Sequence, residues 1–142
     1  MVVTYSLKPT AQDTGHLRNV WKTIDAASCP RSYNFHLHTI ASDGQLTPVD
    51  LIQQAIEIGL KGLAITDHHS VDGFKEAASY LASISLERKN LPQLWTGTEI
   101  TSRLLEVEVH ILGYGFNPEH PAISSYLQGD RPHKEAAQAE RV

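Results

Sequence analysis

The chain has 142 residues, which is the length of one domain or of part of one. Hydrophobic residues make up 41% and charged residues 20%, as in ordinary globular proteins, and the net charge is −4 at pH 7 with histidine neutral. This balance argues against a broad basic surface for duplex DNA or an anionic membrane, and no apolar run is long enough to span a bilayer. The single cysteine, Cys29, excludes an internal disulfide and favours a reducing, cytoplasmic compartment. Eight histidines point to metal or proton chemistry.

Residues 1–30 are predicted to form an extension that contains one amphipathic helix, over about residues 13–27. Apolar side chains recur there at helical spacing, at Leu17, Val20, Trp21 and Ile24. We expect the helix to end before Pro30 and to pack on the rest of the fold. A helix that docks a partner is the alternative.

Residues 31–142 are predicted to alternate between strands and helices. The first strand covers residues 33–38, with Tyr33, Phe35 and Leu37 on one face and the intervening residues on the other. The next helix has Thr47 as its N-cap and ends at Gly59 in a left-handed conformation. The later predicted elements are a strand over 63–66, a helix over 71–87, a hairpin of strands over 94–100 and 106–114, and a helix from Pro132 that the end of the chain interrupts. This order predicts an α/β fold with parallel strands, open or barrel-like.

Imidazoles and carboxylates lie at or just after the ends of the predicted strands. The carboxyl ends of parallel strands build the site in such folds, so we expect these side chains to converge. Nitrogen and oxygen ligands without thiolates suit Zn, Mn or Fe, and more than four of them predict two or more ions, as in phosphatases and nucleases. The candidates are His36 and His38 on the first strand, Asp43 in the next loop, Asp67 and His68 after the second strand, Glu99 on the third and His110 on the fourth.

Each segment also has an ordinary structural explanation. A lone His-x-His on a strand is usually solvated, Asp43-Gly44 is a turn signal, and Asp67 could cap the next helix. Glu106 or Glu108, on the face of His110, could replace Glu99 as a ligand. The remaining histidines are expected at the surface, with His16 on the polar face of the first helix and His69, His120 and His133 elsewhere.

At these residues the sequence resembles the PHP (polymerase and histidinol phosphatase) superfamily of metal-dependent phosphoesterases. The resemblance covers about residues 32–115 and is most similar to the branch of nucleoside 3′,5′-bisphosphate phosphatases and 5′-to-3′ exoribonucleases. Its motifs are Asn34-Phe35-His36-Leu37-His38-Thr39 with Ser42-Asp43-Gly44, Leu63-Ala64-Ile65-Thr66-Asp67-His68, Thr96-Gly97-Thr98-Glu99, and Val109-His110-Ile111-Leu112-Gly113-Tyr114.

The resemblance implies the N-terminal portion of a distorted seven-stranded β/α barrel, preceded by the helical extension. It implies two or three divalent ions bound by ligands at His36, His38, Asp43, His68, Glu99 and His110. It also implies that Asp67 orients an imidazole and that water activated by the ions attacks phosphorus in a nucleotide or short RNA.

The family continues with a His-Pro motif and a late Asp-x-His motif, and neither is found in a matching position after the fourth predicted strand. Closed barrels of this type need about 200 residues or more. We therefore expect the first half of a longer enzyme, with feeble turnover by this chain alone. The alternatives are a non-catalytic metal-binding interaction module, which could self-associate through the incomplete barrel, and a metal-dependent amidohydrolase.

Overall fold

The computed structural model describes residues 11–129, where helices and strands alternate as the sequence predicts. No helix within that range is long and apolar enough to cross a membrane. The helix predicted from Pro132 lies outside the described residues, and so does His133. The elements are α1 (Ala11–Thr23), β1 (Tyr33–Leu37), α2 (Pro48–Glu57), β2 (Gly62–Ile65), α3 (Asp72–Ile84), β3 (Gln93–Leu104), β4 (Val107–Tyr114) and α4 (Pro121–Gly129).

The four strands form one sheet in the order β1-β2-β3-β4. The first three strands are parallel, and β3 and β4 form the predicted antiparallel hairpin. An isolated bridge between His68 and Glu99 continues the parallel pairing just beyond the end of β2. The predicted α/β fold is therefore confirmed, and the carboxyl ends of β1, β2 and β3 lie at one edge of the sheet.

Helices cover both faces of this sheet. On one face, α2 and α3 bury an apolar core against Leu63 and Ile65 of β2 and Leu94 of β3. On the other face, Leu17 and Val20 of α1 pack against side chains of the strands, namely Tyr33, Phe35, Ala64, Trp95 and Tyr114. The prediction that the first helix packs on the fold is confirmed.

A bulge in β1 makes one detail of the predicted pattern wrong. The register pairs Asn34 with Leu63 but Leu37 with Ile65, so β1 has one extra residue between these pairs. An extra residue reverses the alternation of side chains between the two faces. Leu37 therefore packs in the α2–α3 core, while Phe35 packs on the α1 side.

The ends of α2 agree with the sequence prediction, while the ends of other elements differ. Thr47 Oγ1 accepts a hydrogen bond from the Asp50 N–H at 3.1 Å, and Gly59 has a φ of 75°. Helix α1 ends at Thr23, before a turn in which Asp25 accepts hydrogen bonds from two backbone N–H groups. Helix α4 was not predicted, although Pro121 at its first position is a helix-start signal.

The hairpin turn consists of Leu105 and Glu106, which have φ values of 50° and 69°. Two-residue turns of this kind match the twist of the strands, but they favour Asn and Gly because both residues need positive φ. The sequence has neither residue there, so the turn gave no local signal and β3 extends four residues beyond its predicted end, to Leu104.

Candidate metal centre

The six ligand candidates converge at the carboxyl edge of the sheet. Their nitrogen and oxygen atoms form three groups, and within each group the atoms lie within 4.8 Å of one another. The groups are His36 with His38 and Glu99, His38 with Asp43 and His68, and His68 with Glu99 and His110. Adjacent groups share residues, which is the arrangement expected for neighbouring ions with common ligands.

Glu99 is the residue on which the histidines converge. Its Oε2 lies 3.0 Å from Nε2 of His36 and 2.9 Å from Nε2 of His38, and its Oε1 lies 3.0 Å from Nδ1 of His110. The Glu99 side chain is only 6% exposed. A buried carboxylate with its two oxygens turned toward different imidazoles can bridge two cations.

The environment of Glu99 favours the ionised carboxylate. Burial acts to raise its pKa, but the hydrogen bond with His36 and the positive charge of His68, His36 and His38 outweigh burial and hold the pKa below the ordinary value of a glutamate. Glu99 therefore carries its negative charge at neutral pH, as a metal ligand must.

Asp43 reaches the histidines from the loop after β1. Its Oδ1 lies 3.0 Å from Nδ1 of His38, and its Oδ2 lies 3.2 Å from Nε2 of His68. The loop folds back so closely that a Cβ on Gly44 would overlap the carbonyl oxygen of His38 and lie 2.7 Å from the Thr39 nitrogen. Glycine is required here by this close approach of the backbone.

Asp67 holds the loop that carries Asp43. Its carboxylate accepts hydrogen bonds from the Thr39 N–H and hydroxyl, both at 2.7 Å, and from the Ser42 hydroxyl at 2.6 Å. Asp67 is 1% exposed. These hydrogen bonds of the Asp67 carboxylate all go to the loop, and the predicted bond to an imidazole is not among them. Asp67 also belongs to none of the three ligand groups of the described residues.

His69 is buried, so the prediction that it lies at the surface is wrong. It is 3% exposed and has a φ of 48°. Its N–H donates to the Glu99 carbonyl at 3.0 Å, and its Nε2 accepts from the Thr101 N–H at 3.1 Å. His69 thus fastens the chain after β2 to β3 at Glu99 and at Thr101. No feature of the sequence around His69 signals this role.

The other uncertain residues lie away from the centre of the site. Glu106 is exposed at the hairpin turn, and Glu108 contacts His110 from the side opposite Glu99. His16 is exposed, as predicted, with its ring 5.8 Å from the Trp95 ring. His120, also exposed as predicted, accepts a hydrogen bond from the Ala122 N–H at the start of α4.

Tyr114 connects the hairpin to β1 beside the site, a contact that the sequence did not predict. Its hydroxyl donates a hydrogen bond to the Phe35 carbonyl oxygen. Burial, with a smaller effect from the negative charge of Glu99, raises the pKa of Tyr114 to about 12. Tyr114 is therefore a neutral structural residue at physiological pH.

The donor set fits divalent cations. Both ring nitrogens of His38 face carboxylate oxygens, Nδ1 toward Asp43 and Nε2 toward Glu99. A carboxylate only accepts hydrogen bonds and a neutral imidazole has one N–H, so one of these contacts can be completed by a cation between nitrogen and oxygen. Histidine nitrogens and carboxylate oxygens are ligands that suit zinc, manganese and iron.

Part of the chain is similar in sequence to known proteins. The sequence model of the PHP domain matches residues 34–125. A 5'-3' exoribonuclease of Haemophilus influenzae is 32% identical over 105 residues, which are 74% of this chain and 36% of that protein. A 3',5'-nucleoside bisphosphate phosphatase of Chromobacterium violaceum is 36% identical over 98 residues, which are 69% of this chain and 32% of that protein.

Solved structures share the fold over the same part of the chain. A candidate metal-dependent phosphoesterase of Bifidobacterium adolescentis matches with a TM-score of 0.62 and 36% identity, over 72% of this chain and 34% of that one. An amidohydrolase of C. violaceum, solved with bound sulfate and no metal, matches with a TM-score of 0.64 and 31% identity, over 72% of this chain and 34% of that one. The chain thus spans about a third of the length of the relatives it matches.

Proposed function

Because the chain belongs to the PHP domain family, we propose that it provides part of a metal-dependent phosphoesterase that hydrolyses phosphate esters of nucleotides or short RNA. The relatives that act on such compounds, the exoribonuclease and the bisphosphate phosphatase, support this substrate class.

The position of Glu99 between the histidines carries the proposal. We assign the ligands of two or three manganese, zinc or iron ions to the three groups, with Glu99 shared between the group of His36 and the group of His110. Divalent ions held in this way supply an activated water and neutralise charge on a phosphoryl oxygen. The remaining residues have to hold the ligands in place and leave room for the ester.

We expect an ester to approach from the side on which the ligands are most exposed. His36 is 52%, Asp43 42% and His110 36% exposed, whereas His68 is 16% and Glu99 6% exposed. A substrate phosphate would therefore meet His36 and Asp43 first, on the open side of the sheet edge. Asp67 fixes the loop of Asp43 on this side, so the spacing between the ligands is set before any substrate binds.

Calorimetry with manganese and with zinc tests the metal centre. The double variant His36→Ala/His38→Ala removes ligands from two of the three groups and is expected to lose most of the binding. The matched control is His16→Ala/His120→Ala, which removes two exposed histidines outside those groups and should bind like the wild type. Equal affinity in the wild type and the His36/His38 variant would contradict the proposal.

A substrate screen separates the phosphoesterase from an amidohydrolase, the name given to one structural relative. We expect metal-dependent hydrolysis of nucleoside bisphosphates or short RNA and none of amides. Turnover by this chain alone is expected to be slow, because the chain spans only about a third of the length of the exoribonuclease and phosphatase relatives. Hydrolysis of amides in preference to phosphate esters would refute the assignment of the reaction.

A metal-binding interaction module is the second candidate, and the hairpin favours it. Four apolar side chains of β3, β4 and the turn between them are each more than half exposed, namely Leu104, Leu105, Val107 and Ile111. Exposed apolar clusters on an edge strand favour pairing with another chain. Sedimentation should then show concentration-dependent association that Ile111→Lys weakens, and a monomer at every concentration would argue against it.

A further inference from the structure

Glu108 of strand β4 contacts the ligand candidate His110 but belongs to none of the three ligand groups of the described residues. Its Oε1 lies 2.9 Å from Nε2 of His110. The other ring nitrogen of His110, Nδ1, lies 3.0 Å from Oε1 of Glu99. The imidazole of His110 is therefore held between a buried carboxylate and a partly exposed one.

The two carboxylates cannot play the same role. A neutral imidazole has one N–H and one lone pair, and a carboxylate can only accept a hydrogen bond. Glu99 belongs to two of the ligand groups and is 6% exposed, whereas Glu108 is 47% exposed. The lone pair of His110 therefore belongs on the side of Glu99, and its N–H on the side of Glu108.

We propose that Glu108 is a positioning residue that accepts a hydrogen bond from Nε2–H of His110 and thereby presents Nδ1 to the ion shared with His68 and Glu99. This inference rests on the metal centre of the proposed function. Histidines that bind metals commonly donate their second ring N–H to a carboxylate, which fixes the tautomer and the orientation of the ring. Glu108 stands at that second nitrogen.

The strand β3 supports the same orientation from across the hairpin. The register pairs Thr101 with His110 and Arg103 with Glu108. Thr101 Oγ1 lies 3.2 Å from Nδ1 of His110, where its hydroxyl can donate to the Nδ1 lone pair until an ion takes that lone pair. The backbone of Thr101 is itself held, because its N–H donates to the buried His69. The ring is thus fixed from both strands.

The alternative is an ordinary ion pair between exposed neighbours on one strand, which contributes little. The two explanations differ in what a glutamine would do. Glutamine at position 108 removes the charge but keeps a carbonyl oxygen that can accept from Nε2–H. Alanine removes both. A positioning role predicts that glutamine preserves the effect, while a charge effect predicts that it does not.

The test measures zinc binding by calorimetry, and the tautomer of His110 by long-range ¹H–¹⁵N correlation spectra of the zinc-loaded chain. In the wild type we expect His110 bound through Nδ1, with Nε2 protonated. Glu108→Ala should weaken binding of the ion held by His110 by about 10–100-fold. Glu108→Gln should retain most of the affinity and the same tautomer. The control Glu106→Gln removes a nearby exposed charge and should leave both unchanged.

The possible failures can be told apart. Absence of zinc binding in the wild type would refute the metal centre and this inference together. Wild-type binding with His110 coordinated through Nε2, or with equal affinity in Glu108→Ala, would refute the role of Glu108 and leave the metal centre standing. Affinity lost equally in Glu108→Gln and Glu108→Ala would show that the charge acts, and would overturn the positioning role.

Discussion

A glycine in the first turn of α3 supports the metal centre although it touches no ligand. A Cβ on Gly73 would overlap Oδ2 of Asp67 and would lie 2.7 Å from the Thr39 hydroxyl oxygen. Those two atoms are joined by a buried hydrogen bond of 2.7 Å that holds the loop of Asp43. Gly73→Ala therefore forces the carboxylate, the helix or the loop to move.

The expected magnitude follows from opposing effects. Replacing glycine by alanine in a helix ordinarily stabilises it by about 0.5–1 kcal/mol. Here the overlap requires a shift that costs about 1–3 kcal/mol, and a lost hydrogen bond to the Asp67 carboxylate adds about 1.5–3 kcal/mol. We expect Gly73→Ala to lower the free energy of unfolding by about 1.5–5.5 kcal/mol.

Urea denaturation and zinc calorimetry together test this reasoning. Gly15→Ala is the matched control, because Gly15 lies within α1 and a Cβ there would meet no atom within 4 Å. The control should be slightly stabilised and should bind zinc normally. Gly73→Ala should bind zinc more weakly at the group that contains Asp43. A stabilised Gly73→Ala variant with wild-type zinc binding would refute the account of Asp67.

Three further predictions concern stability and are measured by urea denaturation of the metal-free chain. Leu105→Asn with Glu106→Gly should raise the free energy of unfolding by about 1–2 kcal/mol, because leucine and glutamate are strained at positive φ, which asparagine and glycine tolerate. An unchanged free energy of unfolding would argue against this strain. Leu17→Ala should lower it by about 2–5 kcal/mol, because Leu17 is 2% exposed between α1 and the sheet; a loss well below that range would place α1 outside the core. Because the fold lowers the pKa of Glu99 below its ordinary value, ionised Glu99 stabilises the fold above that ordinary pKa, and this contribution is lost as the pH falls through the folded pKa. In Glu99→Gln, this part of the loss of unfolding free energy at acid pH should be absent. A dependence of stability on pH equal to that of the wild type would contradict the lowered pKa of Glu99.

The order of the elements and the location of the ligands could be predicted from the sequence. Alternating apolar patterns and the capping residue Thr47 are local features, so they identify strands and helices without knowledge of the fold. The grouping of ligand candidates at one edge follows from the same features, because parallel strands joined by helices place their carboxyl ends together. The number of ligand candidates predicted two or more cations, and the resemblance to the family implied which residues bind them.

Contacts between distant segments decided the rest. The bulge that turns Leu37 to the α2–α3 core arises from pairing with β2, and no residue type in β1 predicts it. The burial of His69 depends on the Thr101 amide, and the bonds of Asp67 depend on a loop 28 residues earlier in the chain.

Residue types and the succession of strands and helices are local properties of the chain, and from them we could predict which side chains are candidate ligands and at which edge of the sheet they meet. The tertiary structure alone decided how those side chains are held: Asp67 by the loop, Glu99 between imidazoles, His110 between two carboxylates. The physical reason is that hydrogen bonds and close packing form between residues far apart in the chain. Their partners are chosen only when the sheet brings them within bonding distance.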